Sequence, residues 1–248
     1  MVKFYETSFD YDFSFPAVTL AYFLRYPNPY AKHVLSTDVI DRHYDPDTQH
    51  LTTTRLHLKR SKIPSPVLKV LPKGILGSGA DAGESYVLET STVDVKNGWM
   101  MTETRNLEWT GILSVIEKQK YQKLPVAHSM VSAPNGALSQ AASEEAGEGS
   151  TNVTTTVTLK SKFGQTRALR RQRHKAESDE ETPVKQGFFS SWSSASLQRS
   201  IEGVGLRRTR EALFKSRNGM NVVLDRLRRG GLVAALDGMR QDRESAGL

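Results

Sequence analysis

The sequence predicts an α+β fold in which a curved antiparallel sheet wraps a long C-terminal helix. Three observations carry this. β-rich runs of about ten residues follow one another across tight-turn residues. A short apolar helix near the N-terminus is closed by Pro27 and Pro29. Leu197, Ile201, Val204, Leu213, Met220, Leu224 and Leu227 then recur at spacings of three, four and seven.

Taken in order, "MVKFYETSFDYDF" carries acids and lacks the apolar or Arg-rich pattern of a targeting peptide, so it reads as a first strand. "FPAVTLAYFLRYPNP" gives the helix. "HVLSTDVIDRHYD" and "HLTTTRLHLKR" flank "PDTQ", whose proline and aspartates are turn chemistry, and form a hairpin. "SYVLETSTVDV", "WMMTETRNLEW" and "ILSVIEKQKYQ" extend it as a meander, with turns at "KNG" and near Gly111, and "TNVTTTVTLKSKF" supplies a β-branched strand. The segment from Lys62 to Gly83 starts with Pro64 and Pro66, shows Val67, Leu68, Val70, Leu71 and Ile75 as an apolar stripe, and ends glycine-rich. It reads as a mobile loop with a short amphipathic helix. Residues 125–150 and 164–186 are too polar and small to bury a core and read as disordered insertions. The long helix, expected over Ser196 to Arg229, contains Gly203, Gly205 and Gly219, each costing about 1 kcal/mol against alanine, so it needs the sheet for support. Residues 1–230 are therefore one domain and 231–248 a C-terminal tail. A sheet wrapped around a helix can be hollow.

The chain has 34 Lys plus Arg against 27 Asp plus Glu, a net charge of +7, a pI near 9.5 and a mean hydropathy of -0.47. Such basicity points to an anionic partner without choosing between nucleic acid, an acidic membrane and an acidic ligand. The absence of cysteine excludes disulfides, a thiol nucleophile and cysteine-ligated zinc. No apolar run approaches the roughly 20 residues that span a bilayer, so membrane contact is expected to be peripheral.

No catalytic constellation assembles, and the chain reads as a protein that is not an enzyme and needs no cofactor or metal. His43, His50 and His57 fall seven apart but lack a carboxylate signature. "DPDTQH" lacks the glycine and distal glutamate of a calcium loop, and neither G-x-S-x-G nor a P-loop occurs. The charge is more informative by position. Alternation in the second hairpin strand puts Thr53, Arg55, His57 and Lys59 on one face, toward solvent or toward a cavity. On the last helix Arg208 and Lys215 share a face. A nucleic-acid-binding module is the alternative from another class, but neither a zinc finger nor an RNP aromatic pattern supports it.

"FLRYPNPYAKHVLSTDVIDR", "TTRLHLKRSKIP", "TRNLEWTGILSVIE" and "KSRNGM", in this order, resemble the PRELI-like family of mitochondrial intermembrane-space phospholipid transfer proteins, and within it the phosphatidic-acid-carrying branch. The resemblance implies a START-like, phosphatidylinositol-transfer-like cavity: a seven-stranded antiparallel sheet, a long C-terminal helix and a lid loop. It implies transfer of phosphatidic acid between the outer and inner mitochondrial membranes in support of cardiolipin synthesis, with phosphatidylserine as the alternative cargo. It places head-group cations at Arg25, His33, Lys59, Arg208 and Lys215, those of the "RYPNPY" stretch beside a rigid turn at the cavity mouth, and a membrane-contacting lid at Val67, Leu68, Leu71 and Ile75. A small helical partner with twin C-x9-C motifs is also implied, with peripheral binding to anionic membrane and no nucleic acid. Two positions depart from the family pattern: Arg208 stands where lysine is expected and Ala212 where asparagine is expected.

Overall fold

The computed structural model describes residues 2–60, 83–108, 110, 113–125, 149–161 and 194–247. The elements are β1 (Val2–Tyr11), α1 (Phe15–Phe23), β2 (Val34–Asp45), β3 (His50–Arg60), β4 (Glu84–Asp94), β5 (Trp99–Asn106), β6 (Leu113–Lys123), β7 (Thr151–Ser161) and α2 (Ser194–Ala246). One seven-stranded antiparallel sheet has the order β1-β7-β6-β5-β4-β3-β2, so β2 to β7 are a meander onto which β1 docks. This is the α+β architecture expected. The expected lid segment and both insertions lie wholly or mostly outside the described residues.

Turn chemistry fixes the strand registers. At the β2–β3 turn the Asp45 carboxylate accepts from Thr48 Oγ1 at 2.7 Å and the Asp47 amide at 3.0 Å. At the β4–β5 turn Asp94 accepts from the Asn97 amide at 2.8 Å and from its side chain at 2.7 Å, and Gly98 takes the left-handed conformation (φ 67).

The paired registers lay the inner face out in rows. Leu51, Val93, Met100, Tyr121, Val153 and Phe9 form an apolar row across the sheet. α1 and α2 pack against it through Phe15, Val18, Ala21, Tyr22, Met220, Val223 and Leu224. The next row inward along the strands is polar throughout: Thr53, Ser91, Thr102, Gln119, Thr155 and Thr7. The third runs Arg55, Glu89, Thr104, Glu117, Val157 and Tyr5. The alternation in β3 is thus resolved toward the interior, with Thr53, Arg55 and His57 all buried. Burying hydroxyls and charges without partners costs free energy, so these rows make poor core and suit a lined cavity.

α2 is two helical arms broken at Gly230 (φ -153, ψ 23) and Gly231 (φ 62, ψ -153), the latter in a region that only glycine enters without strain. The first arm crosses the edge strand with Arg210 over Tyr5, Arg217 over Phe9 and Arg228 over Phe13, at 5.2, 4.7 and 3.9 Å from the ring centres. The second folds back on the first: Arg226 donates to Asp242 at 2.6 Å, and Ala235 is buried. The segment read as a tail is therefore mostly a helix. LVAALDGM after the paired glycines still carries apolar residues at helical spacing.

Gly219 shows why the long helix tolerates its glycines. A Cβ there would meet the Asn28 side chain at 2.7 to 2.9 Å. Asn28 Oδ1 accepts from the Tyr30 amide at 2.8 Å and its amide donates to the Arg25 carbonyl, so this close approach pins the "RYPNPY" turn to α2. Gly219→Ala should lose about 1–3 kcal/mol by overpacking, against a helix-propensity gain of about 1 kcal/mol. Urea unfolding measures this, and a variant as stable as the parent would show that Asn28 can step aside.

Candidate functional site

A cavity of about 480 Å³ lies between the sheet and α2. The "RYPNPY" turn and the chain leading into β2 give it Arg25, Tyr30 and His33. The strands give it His57, Lys59, Glu89, Thr104, Glu117, Gln119 and Tyr121, and α2 gives it Arg208, Glu211, Ala212, Lys215 and Ser216. Residues 208, 211, 212 and 215 recur at helical spacing and present one face. All five cations expected from the sequence, Arg25, His33, Lys59, Arg208 and Lys215, thus line one cavity.

They are not equivalent. Arg25 was expected at the mouth beside a rigid turn. The structure buries it at 6% exposure, with its guanidinium 3.8 Å from the centre of the Tyr22 ring and donating to the Tyr22 carbonyl at 2.8 Å. There it is ion-paired to Glu89, a residue that the sequence did not single out. Arg55, directly across the β3–β4 ladder from Glu89, donates to the same carboxylate through Nε at 2.7 Å and to the Phe23 carbonyl at 3.1 Å. His57 Nε2 approaches Glu89 at 3.2 Å while its Nδ1 meets the Thr37 hydroxyl at 2.9 Å.

Burial alone would raise the Glu89 carboxyl, but Arg25, the contact with His57 and Arg55 hold it well below the usual carboxylate range. Desolvation lowers the His57 imidazole in spite of Glu89. At the cavity rim, desolvation and then the cations Lys59 and Lys215 push the His33 imidazole down to about 4, so it is neutral at pH 7. On the opposite wall desolvation raises the Glu117 carboxyl, with Lys59 and Arg25 pulling against it. The lining holds four Lys or Arg and three Glu, a smaller positive excess than the predicted cations alone suggest.

His43, His50 and His57 do not converge. Their β2–β3 partners are Thr52, Asp45 and Thr37, and His50 instead approaches Asp94 at 3.2 Å. Among the described residues no group of His, Asp and Glu could hold a metal ion, and no helix is long and apolar enough to cross a membrane.

Residues 16–137 match the PRELI-like family. The chain carries a PRELI-like domain. It is 41% identical over 122 residues to the mitochondrial protein UPS1 of Saccharomyces cerevisiae, a match covering 49% of this chain and 65% of that one. It is 36% identical over 121 residues to the mitochondrial PRELI domain-containing protein 1 of Homo sapiens, covering 49% of this chain and 52% of that one. The matched part therefore spans one half to two thirds of these relatives, and the PRELI-like domain is placed among mitochondrial proteins. The Zhui aromatase/cyclase from Streptomyces sp. R1128 superposes at a TM-score of 0.44 with 9% identity, covering 93% of this chain and 98% of that one.

Removing the Glu89 charge would strand Arg25 and Arg55 inside the PRELI-like domain. Glu89→Gln should cost about 3–5 kcal/mol in urea unfolding, and adding Arg55→Met should recover part of the loss. The folded carboxyl titrates below its unfolded value, so the stabilisation is complete above about pH 5 and drains away as pH falls toward the folded pKa. An unchanged midpoint and acid profile in Glu89→Gln would show that the cluster contributes nothing.

Proposed function

We propose that the chain is a phospholipid carrier that moves phosphatidic acid between the outer and inner mitochondrial membranes, through the intermembrane space, in support of cardiolipin synthesis. The observation that carries the reading is the convergence of Lys59, Arg208 and Lys215 from sheet and helix on one cavity, with Arg25 beneath them. Burying a phosphate demands such donors, and each charge-assisted contact is worth roughly 1.5–3 kcal/mol. The inner face grades along the strands. Beyond the charged row and outside the cavity lining proper, the same face of the sheet continues with Val87 of β4 and Val115 and Leu159 of the β6–β7 pair, next to Asn106, whose Oδ1 accepts from the Val115 amide at 2.8 Å. This apolar stretch suits acyl chains, with the head group toward the charged row. No bond is made or broken: the lipid is extracted, shielded and released.

Lys59 stands next to the end of β3, from which the segment starting at residue 61 departs. Val67, Leu68, Leu71 and Ile75 of that segment are proposed as the lid that closes on the acyl chains and touches the bilayer, with surface basicity aiding contact with anionic lipid. The twin C-x9-C helical partner belongs to the same reading. Val39, Ile40 and Tyr44 on edge strand β2, all more than half exposed, offer such a protein apolar surface.

Liposomes carrying a fluorescent lipid, mixed with unlabelled acceptors, test the reading. Phosphatidic acid should move much faster than phosphatidylcholine. Equal rates would overturn the head-group argument, and faster phosphatidylserine would make that lipid the cargo. Lys59→Ala should slow phosphatidic acid transfer about tenfold or more, one charge-assisted contact, whereas Arg171→Ala in the 164–186 segment should leave it unchanged. Identical behaviour of the two variants would return the charge to a general surface effect. Replacing Val67, Leu68 and Leu71 together by aspartate should reduce transfer and liposome binding with little change in Tm. A large fall in Tm would make these residues core and remove the lid.

A further inference from the structure

Glu117 is an acid on the wall of a cavity whose expected ligand is an anion. Unlike Glu89, it has no Arg or Lys within ion-pair distance among the described residues. Its order comes from a relay along its own strand: Tyr121 Oη donates to Gln119 Oε1 at 2.6 Å, and Gln119 Nε2 donates to Glu117 Oε1 at 2.8 Å. The relay fixes the Gln119 amide with its donor toward the carboxyl, so Glu117 is held in place as a built part of the lining. Its neighbours across the ladders, Thr104 on β5 and Val157 on β7, are uncharged.

We propose that Glu117 is a specificity-determining residue that shares one proton with the ligand's phosphate, so that the cavity takes up a phosphate monoester head group together with a proton and discriminates against diesters. The proposal rests on the phosphate-lipid reading above. Two acids brought within hydrogen-bond range cannot both stay fully ionised, and a proton placed between them removes the repulsion and makes a short charge-assisted hydrogen bond. A phosphate monoester can supply or accept that proton because its second ionisation lies near pH 6, about the value for phosphoserine. A diester has no such ionisation and leaves Glu117 either repelling it or taking a proton alone.

The charges around Glu117 are consistent with this sharing. Lys59 on β3 and Arg25 in the turn favour its ionised form. Desolvation and Glu89 on β4 favour the proton. Arg208 and Lys215 on α2 face the cavity with Glu211 beside them, and His33 at the rim starts neutral. The cations hold the phosphate whatever its ester state, while Glu117 reads the number of protons that come with it.

The test uses the full chain with vesicles of phosphatidylcholine doped with phosphatidic acid, a monoester, or phosphatidylglycerol, an anionic diester without an amine. In the wild-type protein the ratio of phosphatidic acid to phosphatidylglycerol extracted should rise about tenfold from pH 8 to pH 6. In the isosteric Glu117→Gln the rise should be lost, the ratio staying flat or falling as the monoester gives up its second charge. Calorimetry in buffers of different ionisation enthalpy gives a second readout: the wild-type protein should take up more protons with phosphatidic acid than with phosphatidylglycerol, the excess vanishing in Glu117→Gln. A Glu117→Gln protein with the wild-type profile, or a wild-type protein with no excess uptake, overturns the role of Glu117 and leaves the carrier reading intact. A wild-type protein that extracts neither lipid overturns the carrier reading and this proposal with it. Glycerol phosphate in excess should not displace extracted lipid, and displacement would replace the lipid reading by a soluble-phosphate site.

Discussion

The interior of this domain is organised around one buried carboxylate. Glu89 is fully inaccessible, and Arg25, Arg55 and His57 meet it from two directions, the turn after α1 and the neighbouring strand. Moving such charges out of water costs several kcal/mol per ion, and their mutual attraction repays this only when geometry and hydrogen bonding are good. Here the remaining guanidinium donors reach the Tyr22 and Phe23 carbonyls at the end of α1, which otherwise lack a following helical turn to accept from. The cluster therefore caps α1, fastens it to β3 and β4, and sets the depth at which Arg25 can face the cavity. Asn28, pressed against Gly219, fastens the far side of the same turn to α2.

With α1 and the first arm of α2 fixed in this way, the sheet is covered tightly only where its lining is apolar. The row from Leu51 to Phe9 takes the helices as core, and the hydroxyl and charged rows beyond it offer apolar side chains only at their β7–β1 end, in Val157 and Tyr5. A sheet alternating in this pattern cannot collapse on a helix without stranding polar groups, so a cavity is the lower-energy outcome. The edge strand β1 is managed separately. Arginines of α2 stand over Tyr5 and Phe9 of that strand and over Phe13 just beyond it, covering its aromatic residues with cations.

Local chemistry made most of the fold legible. The Asp45 and Asp94 turns, the proline-closed α1 and the strand runs each announce themselves within a dozen residues. The five cations emerged from a resemblance, since alternation alone left Lys59 and Arg55 facing either solvent or interior. Glu89 and Glu117 went unmarked for a physical reason. In "YVLETSTV" and "SVIEKQKY" polar residues occupy both faces, so no period-two signal separates the lining from the surface. Only the register that sets Arg55 opposite Glu89, and Thr104 opposite Glu117, reveals them. The C-terminal arm went unread because the helix was expected to stop at Arg229, whereas Gly230 and Gly231 are a bend between two helical arms.

The near balance of charge in the cavity bears on how a carrier works. Four Lys or Arg side chains and no acids would hold a phosphate tightly, and each extra 1.4 kcal/mol of binding slows release tenfold if association is unchanged. Glu89 already occupies Arg25, and Glu117 adds an acid to the lining that an incoming anion must either share a proton with or be repelled by. Burial, Lys59 and Lys215 keep His33 neutral at pH 7, so it adds no standing positive charge. In the proposed carrier the resident acids would thus hold the affinity for phosphate below what the cations alone would give. For the proposed carrier this matters as much as the cations do, because a lipid that cannot leave is not transferred.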